Sequence, residues 1–250
     1  TGMRLVWVPG GRFPMGSDQQ LEESPVHWVR VSSGWIGETP VTNRQFTLFV
    51  AATGHAQPAQ WGDPRFAEPG QPVVGVSFED ALAFCRWLRE VSGYEVTLPT
   101  EAEWEHAARG HDRREYPWGA AAPTSRHACF GLDAMSGGPV AAGTCLEGRG
   151  PFGTLDQGGN VWEWCRDVWD ELAYVKRAGS EATDPVVEAG DPAVRVVRGG
   201  SWFFPAEDLR AAARARNEAT IRADDLGFRV VVPARFWPAE VELPRVRIEE

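Results

Sequence analysis

From Met3 to Ser17 apolar positions alternate with polar ones on either side of Pro9-Gly10-Gly11, a spacing that predicts a β-hairpin. Val26 to Ile36 continues the alternation. The period then changes to that of helices. Thr42 and Gln45 form a capping box ahead of Phe46, Phe49 and Val50, and Gly54 closes the segment. Ser77 opens a second helix with Phe78, Ala81, Leu82, Cys85 and Leu88 at helical spacing as far as Gly93. Thr100 and Glu103 box a third, which carries Trp104, Ala107 and Ala108 and stops at Gly110. All three helices are expected to be short, well capped and amphipathic.

Between Tyr116 and Thr154 the chain is rich in Gly, Pro and Ala and holds no sustained period, so long ordered loops are expected there. Strand-like pieces return at Asn160 to Trp164, Val194 to Trp202 and Gly227 to Val232. No interior stretch reads as a linker. One domain over residues 3–232 is expected, with residues 233–250, which carry three prolines and alternating charge, as a tail extended across the surface.

Composition narrows the choice of partners. The hydrophobic fraction of 43%, with 12 Trp and 12 Phe, supplies a core that needs no disulfide or metal, and points to a loop-rich domain or an aromatic binding surface. A net charge of −10 without a Lys/Arg run argues against nucleic acid and anionic membrane as partners. No apolar run approaches the roughly 20 residues of a bilayer span. Cys85, Cys129, Cys145 and Cys165 show no metal-ligand spacing and read as buried free thiols. His27, His55, His106, His111 and His127 include no HxH or HExxH and read as surface or satisfied core residues. Compartment and oligomeric state stay open.

Eight segments, in order, resemble the formylglycine-generating-enzyme domain family: Val8-Pro-Gly-Gly-Arg-Phe, Met15-Gly-Ser, Pro40-Val-Thr-Asn-Arg-Gln-Phe, Leu98-Pro-Thr-Glu-Ala-Glu-Trp-Glu-His-Ala-Ala-Arg-Gly, Tyr116-Pro-Trp-Gly, Gly159-Asn-Val-Trp-Glu-Trp, Arg198-Gly-Gly-Ser-Trp and Leu226-Gly-Phe-Arg. The resemblance implies an α+β domain of C-type-lectin type with little regular structure. In active members a cysteine pair beyond the Gly-Gly-Ser motif uses copper to oxidise a substrate cysteine to formylglycine. Here Ser201 to Arg216 contains no cysteine, and none follows Cys165. Neither Phe nor Asp replaces a thiolate toward copper(I), so copper is not expected. The iron motif of the related sulfoxide-forming reaction is also missing.

The resemblance also implies a calcium ion held by Asp156, Gly159, Val161 and Glu163, two carboxylates and two carbonyls that suit a hard cation. A turn held by hydrogen bonds and water is the other reading. A second family calcium site begins at an Asn after Pro-Trp-Gly, where this chain has Cys129-Phe130.

Without the thiolates, the expectation is a non-enzymatic binding domain that receives a ligand, most simply a protein, on the segment Trp202 to Asp225. The display set is Trp202, Phe203, Phe204, Ala206, Glu207, Ala213, Ala215, Asn217, Ala219, Ile221 and Ala223, facing solvent from one side, with Trp202 open to a core reading. Leu209, Arg210, Arg214, Leu226, Gly227, Phe228 and Arg229 form the expected framework. That layout also resembles the variable proteins of diversity-generating retroelements. An oxidoreductase of the formylglycine-generating or related oxygenase type with another site is the alternative.

Overall fold

The computed structural model describes residues 1–234, so the tail expectation lies outside the described residues apart from Pro233 and Ala234. The strands are β1 (Leu5–Val8), β2 (Gly11–Met15), β3 (His27–Val31), β4 (Gly34–Gly37), β5 (Trp162–Val168), β6 (Ala182–Thr183), β7 (Val194–Arg198), β8 (Arg214–Glu218), β9 (Leu226–Gly227) and β10 (Val231–Pro233). The helices are α1 (Asn43–Thr53), α2 (Phe78–Ser92), α3 (Glu101–Arg109) and α4 (Ala173–Arg177). The fold is α+β, and residues 116–154 are loops but for one short 3-10 turn.

The expected hairpin does not form. β1 pairs with β4 in the sheet β1-β4-β10, whereas β2 pairs with β3 in the sheet β2-β3-β6. Pro9-Gly10 is thus a corner between two sheets. Gly10 is required there, because a Cβ would stand 2.6 Å from the Ser33 amide nitrogen.

All three capping boxes are present, with Gly54 and Gly93 in left-handed caps. α1 and α2 lay Phe46, Phe49, Phe84 and Leu88 against Trp162, Trp164, Val197 and Phe228 of the β8-β7-β5-β9 sheet region, which makes the main core. Rings interlock edge to face within it, with Phe84 and Phe228 centroids 5.4 Å apart.

α3 departs from the amphipathic expectation. Every residue but Glu103 is buried, including Glu101, Glu105, His106 and Arg109. Its polar side is enclosed because arginines from the C-terminal half meet it.

Candidate ligand-binding face

β7 ends at Gly199 and Gly200, whose φ values of +107 and +70 lie in the region open to glycine. A Cβ on Gly199 would meet the Trp104 ring at 3.1 Å, and one on Gly200 would meet the Asp208 carbonyl and Leu209 Cδ2 at 2.8 Å. The pair therefore turns the chain tightly over the core. Ser201 Oγ donates to Asp225 at 2.8 Å, and the Trp202 amide donates to the Asn160 carbonyl at 2.9 Å. Asn160 in turn clasps both backbone groups of Val140. The Gly159 to Trp164 motif is thus a clamp that holds the loops beneath the turn.

The display set divides by environment. Trp202 is core: it packs with Phe66, and its Nε1 donates to the Asp224 carbonyl. Ala213 is buried as well. Ala215, Ala219 and Ala223 are half-buried against the main core, and Asn217 and Ala206 are half-buried. The reason is strand parity. Ala215 stands opposite buried Val197, so the odd positions of β8 face inward and Arg216 and Glu218 face out. Phe203, Glu207 and Ile221 are exposed. Phe204 is half-buried, edge-on to Trp162 at 5.5 Å.

Phe203, 47% exposed, does not stand alone. The amides of Gly131 and Leu132 donate to the carbonyls of Phe204 and Trp202, both at 2.9 Å, which brings the loop 131–137 alongside. That loop carries exposed Leu132 and Met135. It is tied from below by Arg65, whose Nη1 donates to the carbonyls of Ala134 and Met135 while Asp63 grips the same guanidinium. Asp133 closes the loop through the amides of Met135 and Ser136. Leu132, Met135 and Phe203 are three apolar side chains on fixed backbone, and Leu132 and Met135 are the part that sequence reasoning missed. An apolar pair within a Gly/Pro/Ala-rich loop was the signal available.

The framework residues fall where expected. Arg198 reaches Glu101 at 3.1 Å and Glu105 at 2.5 Å, with all three side chains fully buried. Arg214 pairs with Glu101 through Nε at 2.7 Å and Nη2 at 2.9 Å, and lies over Tyr174. Arg210 grips Glu23 with two bonds of 2.6 Å. Burial pushes the Glu101 carboxyl up, but the charges of Arg214 and Arg198 outweigh it and hold it below its ordinary value. This frame pins both ends of the segment 198–214.

Three of the four positions of the calcium set already make hydrogen bonds within the protein. Glu163 Oε2 accepts from Trp104 Nε1 at 2.7 Å and Arg229 Nε at 2.6 Å, and its Oε1 accepts from Arg229 Nη2 at 2.7 Å. A carboxylate so occupied has little left for a cation that wants six to eight oxygens. The Gly159 carbonyl accepts from the Val161 amide at 2.9 Å, and Asp156 Oδ2 accepts from the Gly143 amide at 2.7 Å. These bonds describe a hydrogen-bonded turn. Among the described residues no group of three or more His, Cys, Asp or Glu is placed for a metal.

The four cysteines are free and buried, with Cys85, Cys129 and Cys165 in separate core clusters and Cys145 near Cys129. Burial pushes the Cys129 thiol up to about 12, and those of Cys85 and Cys165 further, so none is a ready thiolate. His106 corrects one expectation: it is fully buried, yet neither ring nitrogen has a partner. Burial lowers its pKa to about 4.

The sulfatase-modifying factor enzyme 1-like domain family matches residues 1–234. The formylglycine-generating enzyme of Streptomyces coelicolor is 33% identical, over 90% of this chain and 87% of its own length. Among solved structures, PvdO from Pseudomonas aeruginosa superposes with a TM-score of 0.78 at 26% identity, covering 92% of this chain and 94% of its own. Treponema denticola variable protein 1 shares the fold, with a TM-score of 0.77 at 24% identity over 92% of this chain and 95% of its own.

Proposed function

The chain belongs to the sulfatase-modifying factor enzyme 1-like domain family, and on that premise we propose that it is a non-enzymatic member that binds a protein ligand at the apolar face of Leu132, Met135 and Phe203. One observation carries the reading: the segment Ser201 to Arg216, where the resemblance implies a copper-binding thiolate pair, has no sulfur and presents Phe203 to solvent instead. Identity of a third with an oxidising enzyme does not transfer the oxidation when the side chains that ligate copper are replaced. What supports binding is the character of the replacement. Exposed apolar side chains grouped on tied backbone lose little entropy when covered, which is the make-up of an interface anchor.

In a diversity-generating setting, variation would fall on Phe203, Glu207 and Ile221 and spare the inward alanines of β8. The test uses peptides selected from a display library against the intact protein. Binders should lose at least about tenfold in affinity toward the F203S/M135S double variant, the scale of one lost hot spot, and bind V91S, altered at a remote exposed residue of α2, as the parent. Binders equally tight to all three proteins would refute the assignment of the face.

A further inference from the structure

An open cleft of about 370 Å³ borders the ligand-binding segment and is lined by Gly16 to Gln19, Arg109, Arg113, Glu115, Arg210 and Ala212. Arg109 lines it from the last turn of α3 although it is only 3% exposed. Its three hydrogen bonds all leave from Nη1, to Glu105 at 2.7 Å and to the carbonyls of Gly16 at 2.8 Å and Pro14 at 3.4 Å. Its Nε is buried without a partner. A guanidinium offers five donors in a planar fork, so this one has capacity unspent.

The charge around it is uneven too. Arg109, Arg198, Arg210 and Arg214 share the three carboxylates Glu23, Glu101 and Glu105, and Glu105 is divided between Arg109 and Arg198. At the mouth, Arg113 is held loosely by Asp18 at 3.7 Å, with both side chains well exposed, and Glu115 is exposed beside them. An exposed pair at that distance contributes little, so a better acceptor displaces it.

We propose that this cleft binds a small oxyanion, a phosphoryl or carboxylate group, with Arg109 and Arg113 as donors and Asp18 as the gate that the anion displaces. Planar donor pairs of this kind match both acceptors. The site is separate from the Phe203 face, and F203S leaves it unchanged.

Titration of the full chain with inorganic phosphate and, separately, with acetate, at low ionic strength and followed by amide chemical shifts, tests it. Saturable shifts confined to residues 16–19, 109–115 and 210–212 are expected, and the probe that binds more tightly identifies the class. R113Q should weaken binding about threefold and D18N should tighten it about threefold, the range of an exposed ion pair, while R126Q, altered at a remote exposed arginine, is neutral. All three positions are exposed, so loss of folding does not confuse the result. No saturable shift with either probe, or one affinity across the three variants, would overturn the proposal.

Discussion

Phe203 and Phe228 belong to the same C-terminal run of the chain, but Phe203 is half in solvent whereas Phe228 sits in the centre of an aromatic cluster with Phe46 and Phe84. F228A should cost roughly 3–5 kcal/mol and F203S less than about 1 kcal/mol, read by urea unfolding. Equal losses would place Phe203 in the core. Asp167 supplies a second test. It is fully buried, accepts the amides of Glu101 and Val187 at 2.8 Å each, and burial, with the nearby Glu101 charge, pushes it up to about 6. A carboxyl raised on folding favours the fold while protonated, so its contribution is full below about pH 4 and is lost as pH rises through 6. D167N gives up one acceptor and should be less stable at pH 4. Its deficit should nevertheless shrink between pH 4 and pH 7, by up to roughly 3 kcal/mol for a shift of about two units. Glu23 and Asp80, held low by arginine partners, lose stability at acid pH in both proteins and cancel in the difference. Parallel stability curves would contradict the buried, raised carboxyl.

At the level of elements, the helix ends were legible in sequence because a capping box is a contact three residues long. The partners of strands were not. The alternation of Met3 to Ser17 specifies strands, but β1 chooses β4 and β2 chooses β3 through partners that lie between 12 residues away (Met15 with His27) and 32 residues away (Leu5 with Gly37). α3 shows the same limit. Its Glu101 and Glu105 read as a solvated face until Arg198 and Arg214, about a hundred residues later, close over them. β8 is not among the expected strands, and the outward set expected along it, Ala213, Ala215, Asn217 and Ala219, has the inward parity, since alanines fit either side. The glycine pair after β7 offers the element's own test. G200A puts a Cβ 2.8 Å from the Asp208 carbonyl at positive φ, whereas G54A at the cap of α1 meets only the positive φ and open space. Unfolding should show about 1 kcal/mol lost for G54A and clearly more, about 2–3 kcal/mol, for G200A. Equal costs would mean that the turn does not press on Asp208 and Leu209.

For the molecule as a whole, the motifs that carry the family resemblance are mostly the scaffold. Arg198 and Arg214 with Glu101 and Glu105 form buried pairs that join the two halves of the chain, Arg229 with Glu163 adds a buried pair within the second half, and breaking any of them strands a buried charge. That is why the fold was readable from sequence while the site was only half so: motifs report framework, and the outward face of Leu132 and Met135 lies in a loop without a motif. Glu163 likewise answers to Arg229 and Trp104 of the framework. The proposed function keeps the family framework without the oxidation. Mass spectrometry of a cysteine-containing peptide after aerobic incubation with the copper-supplemented protein tests it most directly. An unchanged thiol is expected, and the mass loss of conversion to aldehyde would overturn the non-enzymatic assignment.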